Sequence, residues 1–225
     1  MIPGFGGELI AHAYLESQLP PLDAGGMALG RRLLRWWHHV SRALGPASSA
    51  RAIQDVAVIP LLQLLDHERP SCGAGASGCV GTLPSSGAVI LSLPWTVAPV
   101  SAWRDAVRVG NAARESWALA CNGRSLCIFD CTRTWTRVAI EFDFEHLLAS
   151  PKGIAALWIV ARRAALAGSG HESLGARIAA SANIESPLKH FNTRSLYFPT
   201  PMNLMFFLGW LITILGTIQK RWSYC

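Results

Sequence analysis

Hydrophobic positions change period several times along the chain, and each change predicts an element. From Met27 to Leu44, the residues Leu29, Leu33, Trp36, Trp37, Val40 and Leu44 recur at helical spacing. Arg31, Arg32, Arg35 and Arg42 take the remaining surface, and Gly45-Pro46 ends the helix. His38 and His39 are adjacent, so they point about 100° apart and cannot both face one metal ion; they read as surface or packing residues. A second helix is expected from Ala50 to about Leu65, capped by Ser48 or Ser49 and kinked at Pro60. Ile53, Val56, Ala57, Leu61, Leu64 and Leu65 form its apolar stripe, with Asp55 on the polar side.

The period then shortens. Gly87-Ala-Val-Ile-Leu-Ser-Leu93 is an apolar, β-branched run of the kind buried on both faces of a sheet. Ser101 opens a helix whose apolar side is Trp103, Ala106, Val107 and Gly110 and whose other side carries Arg104, Asp105, Arg108 and Arg114. Trp117 to Cys121 and Arg124 to Asp130 read as a hairpin joined by Asn122-Gly123, a pair suited to the positive φ angles of a type I′ turn. Trp135 to Asp143 alternates as a third strand, and Asp143 can cap a short helix through Leu148. Glu141, Asp143 and Glu145 recur every second residue. On an extended chain they would share a face able to hold a divalent metal, or they form a solvated edge ending in a cap. Ser150-Pro151 starts a further helix with Ile154, Leu157, Trp158, Ala161 and Leu166 buried, ended by Gly168-Ser-Gly170.

The remaining stretches are less periodic. Residues 1–26 hold Pro3, Gly4, Gly6, Gly7, Pro20, Pro21, Gly25 and Gly26, which predicts a loose lead-in with at most a short helix around Glu8 to Gln18. Residues 66–86 read as a flexible loop, where a further strand would be expected but has no position marked by the pattern. Alanine, abundant before, is absent from 184–225, a break that suggests a separate origin such as a frameshift or fusion. Within that apolar tail, Met202 to Ile218 is 17 residues without charge, followed by Lys220-Arg221, near the lower limit for a membrane helix. The expected organisation is therefore a lead-in (1–26), an α/β domain (27–183) and an apolar tail.

Charge adds a partner class. Lys+Arg is 20 against Asp+Glu 14, giving +6, and Lys152, Lys189 and Lys220 are the only lysines. Arginine forks match phosphates and guanine edges, so DNA fits; codon bias in a GC-rich genome would give the same excess. Arg104, Arg108, Arg124, Arg133 and Arg137, on the polar sides of the expected core, are the candidate phosphate contacts. The cysteines lack paired metal-site spacing and read as reduced thiols. No signal-peptide pattern opens the chain, so a cytoplasmic location is expected, with membrane anchoring through 202–218 as the alternative.

Several residues carry a family resemblance: Pro94-Trp95, Trp103-Arg104-Asp105-Ala106-Val107, Trp117-Ala-Leu-Ala-Cys-Asn122-Gly123-Arg124-Ser-Leu, Glu141-Phe-Asp143 with Leu147-Leu148, and Leu157-Trp158. In that order they resemble the N-terminal region of type IIG restriction and modification enzymes, over residues 27–183. The resemblance implies a small restriction-endonuclease-like mixed sheet flanked by helices, a DNA partner, and a methyltransferase domain or subunit beyond this chain. It also implies Mg²⁺ wherever nuclease activity is retained. The chain departs from the family where the chemistry lies. A Pro-Asp followed by Asp/Glu-x-Lys is expected, yet the matching strand reads Val89-Ile-Leu-Ser-Leu-Pro-Trp95. Asn-Pro-Pro-aromatic and Gly-rich S-adenosylmethionine motifs are absent as well. The chain thus resembles a truncated or degenerate front end, with Asp55, Glu141 and Asp143 as the acids to suspect if any cleavage survives.

Overall fold

The Gly-rich N-terminus, expected to be loose, forms the edge of a sheet. Phe5–Gly7 is strand β1, and Ile2, Phe5, Leu9 and Ile10 around it are buried. The computed structural model describes residues 1–21, 23–75, 78–133 and 137–184. The helix α1 (His12–Ser17) follows, and then α2 (Ala24–Ala43), capped by the Asp23 carboxylate accepting from Gly26 N. The lead-in is thus part of the domain: apolar residues set between its glycines provide burial that outweighs their backbone freedom.

The second expected helix is broken more deeply than a proline kink. It runs as α3 (Ala50–Ile53), a π-helical segment (Gln54–Val58) and α4 (Ile59–Leu64), with Ser49 Oγ accepting from Ala52 N as its cap. Pro60 has no N–H to give to the preceding turn, and separately the Trp36 indole donates to the Ala57 carbonyl at 3.0 Å. The stretch expected to be a loop holds two strands, β2 (Ser71–Gly75) and β3 (Gly78–Leu83), paired antiparallel. Gly73 in the edge strand β2 and Gly78 and Gly81 in β3 hide the strand signal, because glycine has no side chain to mark a face.

A 3-10 turn (Pro84–Ser86) leads into β4 (Ala88–Ser92), then α5 (Trp103–Ala113), β5 (Trp117–Cys121), β6 (Ser125–Asp130) and β7 (Ala139–Asp143). The third expected strand is shorter than anticipated, and residues 134–136 lie outside the described residues. Four helices complete the fold: α6 (Phe144–Leu147), α7 (Pro151–Ala161), α8 (Arg163–Ala167) and α9 (Leu174–Ile184). The sheet has seven strands in the order β1-β7-β6-β5-β4-β3-β2. Only β4 and β5 run parallel, because α5 carries the chain back over one face between them. The architecture is therefore α/β, a mixed sheet flanked by helices.

The strand pattern of inward and outward residues divides the core in two. Ile90, Leu119, Ile128, Ile140 and Phe142 face α1–α4 and α6–α9; Val89, Ala118, Ala120, Cys127 and Phe129 face α5. Gly110 of α5 lies so close to Cys131 and Ala118 that a methyl group there would overlap Cys131 Sγ. The β5–β6 turn is not the type I′ turn expected. Only Gly123 has a positive φ, of 84°, while Asn122 Oδ1 accepts from the backbone N of Arg124 and of Ser125 at 2.9 Å. That Asx turn also lets Asn122 Nδ2 donate to the carbonyls of Trp95 and Val97, which tie the β4–α5 connection to the hairpin.

Among the described residues the cysteines Cys72, Cys79, Cys121, Cys127 and Cys131 are free, and no helix is long and apolar enough to cross a membrane. The apolar segment 202–218 lies outside the described residues.

Candidate functional site

The carboxylates suspected from sequence do not converge. Asp55 sits in the π segment, ion-paired to Arg51 at 3.0 Å one turn back. Strand β7 ends at Asp143, so Glu145 lies in α6 and the expected extended face of three carboxylates does not form. Asp143 acts as a cap: Oδ1 accepts from Glu145 N at 3.1 Å and Oδ2 from His146 Nδ1 at 2.8 Å. The Asp143 carboxylate holds His146 above the usual histidine range through that hydrogen bond. Glu141 stands opposite Cys127 on the α5 side of the sheet. No group of three or more His, Cys, Asp or Glu side chains able to hold a metal occurs among the described residues. The acids named from the sequence are not gathered into one metal site among the described residues: Asp55 lies in the π segment, and Glu141 and Asp143 lie on β7 without a third ligand beside them.

The expected phosphate contacts are scattered too. Arg104 and Arg108 lie on the exposed side of α5; Arg104 covers Trp103, and Arg108 pairs with Asp105 at 3.2 Å. Arg124 lies over Trp95 at the hairpin turn, beside a small cleft that Asp143 also lines. Arg133, paired with Asp130 at 3.2 Å, and Arg137 lie at the opposite end of β6. Most are therefore engaged locally, and they do not form one surface.

The stronger basic surface is one that composition alone does not single out. On α2, Arg31, Arg35, His38 and Arg42 fall within one narrow stripe of the helix and are exposed. The stripe spans about 16 Å at a rise of 1.5 Å per residue. Arg31, Arg32, Arg35 and Arg42 make no ion pair among the described residues. Of the domain's exposed large apolar side chains, Met27 and Leu34 lie on this helix as well. On its other flank, Arg32, Arg35 and His39 line a cleft of about 590 Å³ against the π segment and α4. The signal is present in the spacing of the arginines, which in the sequence reads only as the solvated side of a docking helix.

A serine and histidine also meet, in the interior. His67 Nε2 donates to the Ala161 carbonyl and Ser86 Oγ donates to His67 Nδ1, both at 2.7 Å. The carbonyl has no proton to give, so it fixes this tautomer. With His67 5% exposed and Ser86 0%, the pair joins the 3-10 turn to α7 and has no access to substrate. Comparison with known proteins finds no matching family model, no similar curated protein and no similar solved structure.

Proposed function

We propose that this chain is a DNA-associated domain of a restriction and modification system, one that holds DNA by its backbone and does not cut it. The observation that carries the reading is the α2 stripe of Arg31, Arg35, His38 and Arg42, exposed and without a carboxylate partner among the described residues. Duplex DNA presents a phosphate about every 3.4 Å of rise along each strand, so a stripe of about 16 Å faces several of them. Two further features support the reading: the mixed sheet with helices on both faces, compatible with a restriction-endonuclease-like core, and the motif order between Pro94 and Trp158. Arg104, Arg108, Arg124, Arg133 and Arg137 are secondary contacts. The pair Arg108–Asp105 is a surface pair worth about 0–1 kcal/mol, which a phosphate can displace.

Filter binding of the full chain to duplex DNA across a salt series tests this. Affinity should fall as salt rises, and replacing Arg31, Arg35 and Arg42 by Ala should flatten the log–log slope by about 0.9 for each phosphate no longer neutralised. An affinity indifferent to salt, or a slope unchanged in the variant, would refute it. Plasmid DNA incubated with the chain and Mg²⁺ or Mn²⁺ should remain intact. If it is cut, Asp55, Glu141 and Asp143 are the residues to replace first.

A further inference from the structure

The cleft on the flank of α2 combines charge with apolar surface in a way that DNA-backbone contact does not require. One wall carries Arg32, Arg35 and His39, the other Asp55 and Gln63, and Trp36, Val56, Pro60 and Leu64 supply the apolar lining. Asp55 is already paired to Arg51, so the guanidinium groups of the first wall face no free carboxylate across the cleft. Val56, Pro60 and Leu64 follow one another at four-residue spacing and are half-buried, a ridge that an inorganic ion would leave wet. The cleft's 590 Å³ lies within the range of about 300–1,000 Å³ usual for small-molecule sites.

We propose that this cleft binds a phosphate monoester carrying an aromatic ring whose face can cover apolar side chains, a nucleoside monophosphate being one soluble example. Two arginine forks and an imidazole offer more donors than a carboxylate's two oxygens can use, whereas a phosphate's three terminal oxygens match them. The ester's ring then covers Val56, Pro60 and Leu64. The walls are held apart by the fold itself. The π turn widens the helix beside α2, and the Trp36 indole bonded to the Ala57 carbonyl at 3.0 Å fixes α2 against it. Such turns recur at functional sites because the extra residue re-aims its neighbours, here Asp55 and Val56. The inference stands independently of the DNA reading, with which it shares only Arg35.

Titration calorimetry of the full chain with AMP, adenosine and inorganic phosphate tests it. AMP should bind roughly tenfold or more tightly than either fragment. Arg32→Ala should weaken AMP and phosphate alike by about tenfold, and Leu64→Ser should weaken AMP while leaving phosphate unchanged. Arg177→Ala on α9 is the control for a general charge effect. A short duplex that displaces AMP only when it bears a 5′-phosphate would identify a DNA end as the source of the ester. Displacement by neither duplex would identify the free nucleotide. AMP no tighter than phosphate, or an Arg32→Ala variant that binds AMP normally, would overturn the proposal, provided the variant melts like the wild type.

Discussion

The two faces of the sheet solve the burial problem differently. The face under α1–α4 and α6–α9 is filled by large side chains, among them Phe142, Phe144, Leu33, Leu61, Leu119 and Ile140. The α5 face mixes larger side chains, Val89, Leu91 and Phe129, with a patch of small ones, Ala118, Ala120, Ala139, Cys127 and Cys131, and Gly110 is set against the small patch. Large side chains gain more from burial and hold several helices at a distance; small ones let a single helix approach closely and tolerate no added atoms. The surfaces above follow this difference. The large face supports a long helix, α2, whose outer side carries exposed arginine without ion-pair partners among the described residues, whereas α5 approaches the sheet closely at Gly110 and its exposed cations are stacked on Trp103 or paired with Asp105.

Phe144 tests the large face most severely. Its ring stands edge-on to Trp36 at 5.0 Å and lies 6.2 Å from Trp37, which links α6 to α2. Phe144→Ala should lower stability by about 3–5 kcal/mol in urea unfolding, the usual cost of an aromatic cavity. Because α2 loses an anchor, the DNA affinity proposed for its arginine stripe should drop as well. A loss below about 1 kcal/mol would mean that the large face repacks freely and that size is not what holds α2.

The small face should fail in the opposite way, by addition. Gly110→Val places a branched side chain where even a methyl would overlap Cys131 Sγ, at a cost of about 1–3 kcal/mol. Helix propensity alone would favour valine over glycine by a few tenths of a kcal/mol, so the expected sign rests on packing. Adding Cys131→Ala should recover part of the loss. Strictly additive costs in the double variant would break the assignment of the clash to that pair.

Much of this architecture is legible in the sequence where burial writes a period. The runs at 88–92, 117–121 and 125–130 and the helices α2 and α5 follow from apolar spacing. The single helix expected from Pro151 through Leu166 instead breaks at Arg162 into α7 and α8, and α7 is buried nearly all round. Strands β1, β2 and β3 are not legible: Gly6, Gly7, Gly73 and Gly81 have no side chain to declare a face, and their pairing is decided by neighbours far along the chain. The turn at Asn122-Gly123 is legible as a turn but not as to type, since the Asn122 side chain takes over the hydrogen bonds of the backbone. The site is hidden for a related reason. Asp143 has the spacing of one in a row of acids, but row membership depends on where the strand stops. The arginines of α2 have the spacing of a solvated side, but their lack of counter-charge depends on elements distant in sequence.

Protonation gives the smallest contrast between the faces. On the large face, burial holds His67 below its ordinary value of 6.5 even though Ala161 accepts a hydrogen bond from it. The unfolded chain therefore takes up a proton that the folded one resists, so stability is full above about pH 6.5 and is lost as pH falls below it. One such group can change the slope by at most about 1.4 kcal/mol per pH unit. On the small face the response lies at the alkaline end, since burial pushes the Cys131 thiol up to about 11 and Cys127 higher still. Unfolding in urea between about pH 5 and 7 should thus show wild-type stability decreasing toward acid. His67→Gln, whose amide can still donate to Ala161 and accept from Ser86, should flatten that decrease. His146, raised by Asp143, contributes with the opposite sign and is common to both proteins, so it cancels in the comparison. Equal slopes in wild type and variant would remove His67 as the acid-sensitive element of the large face.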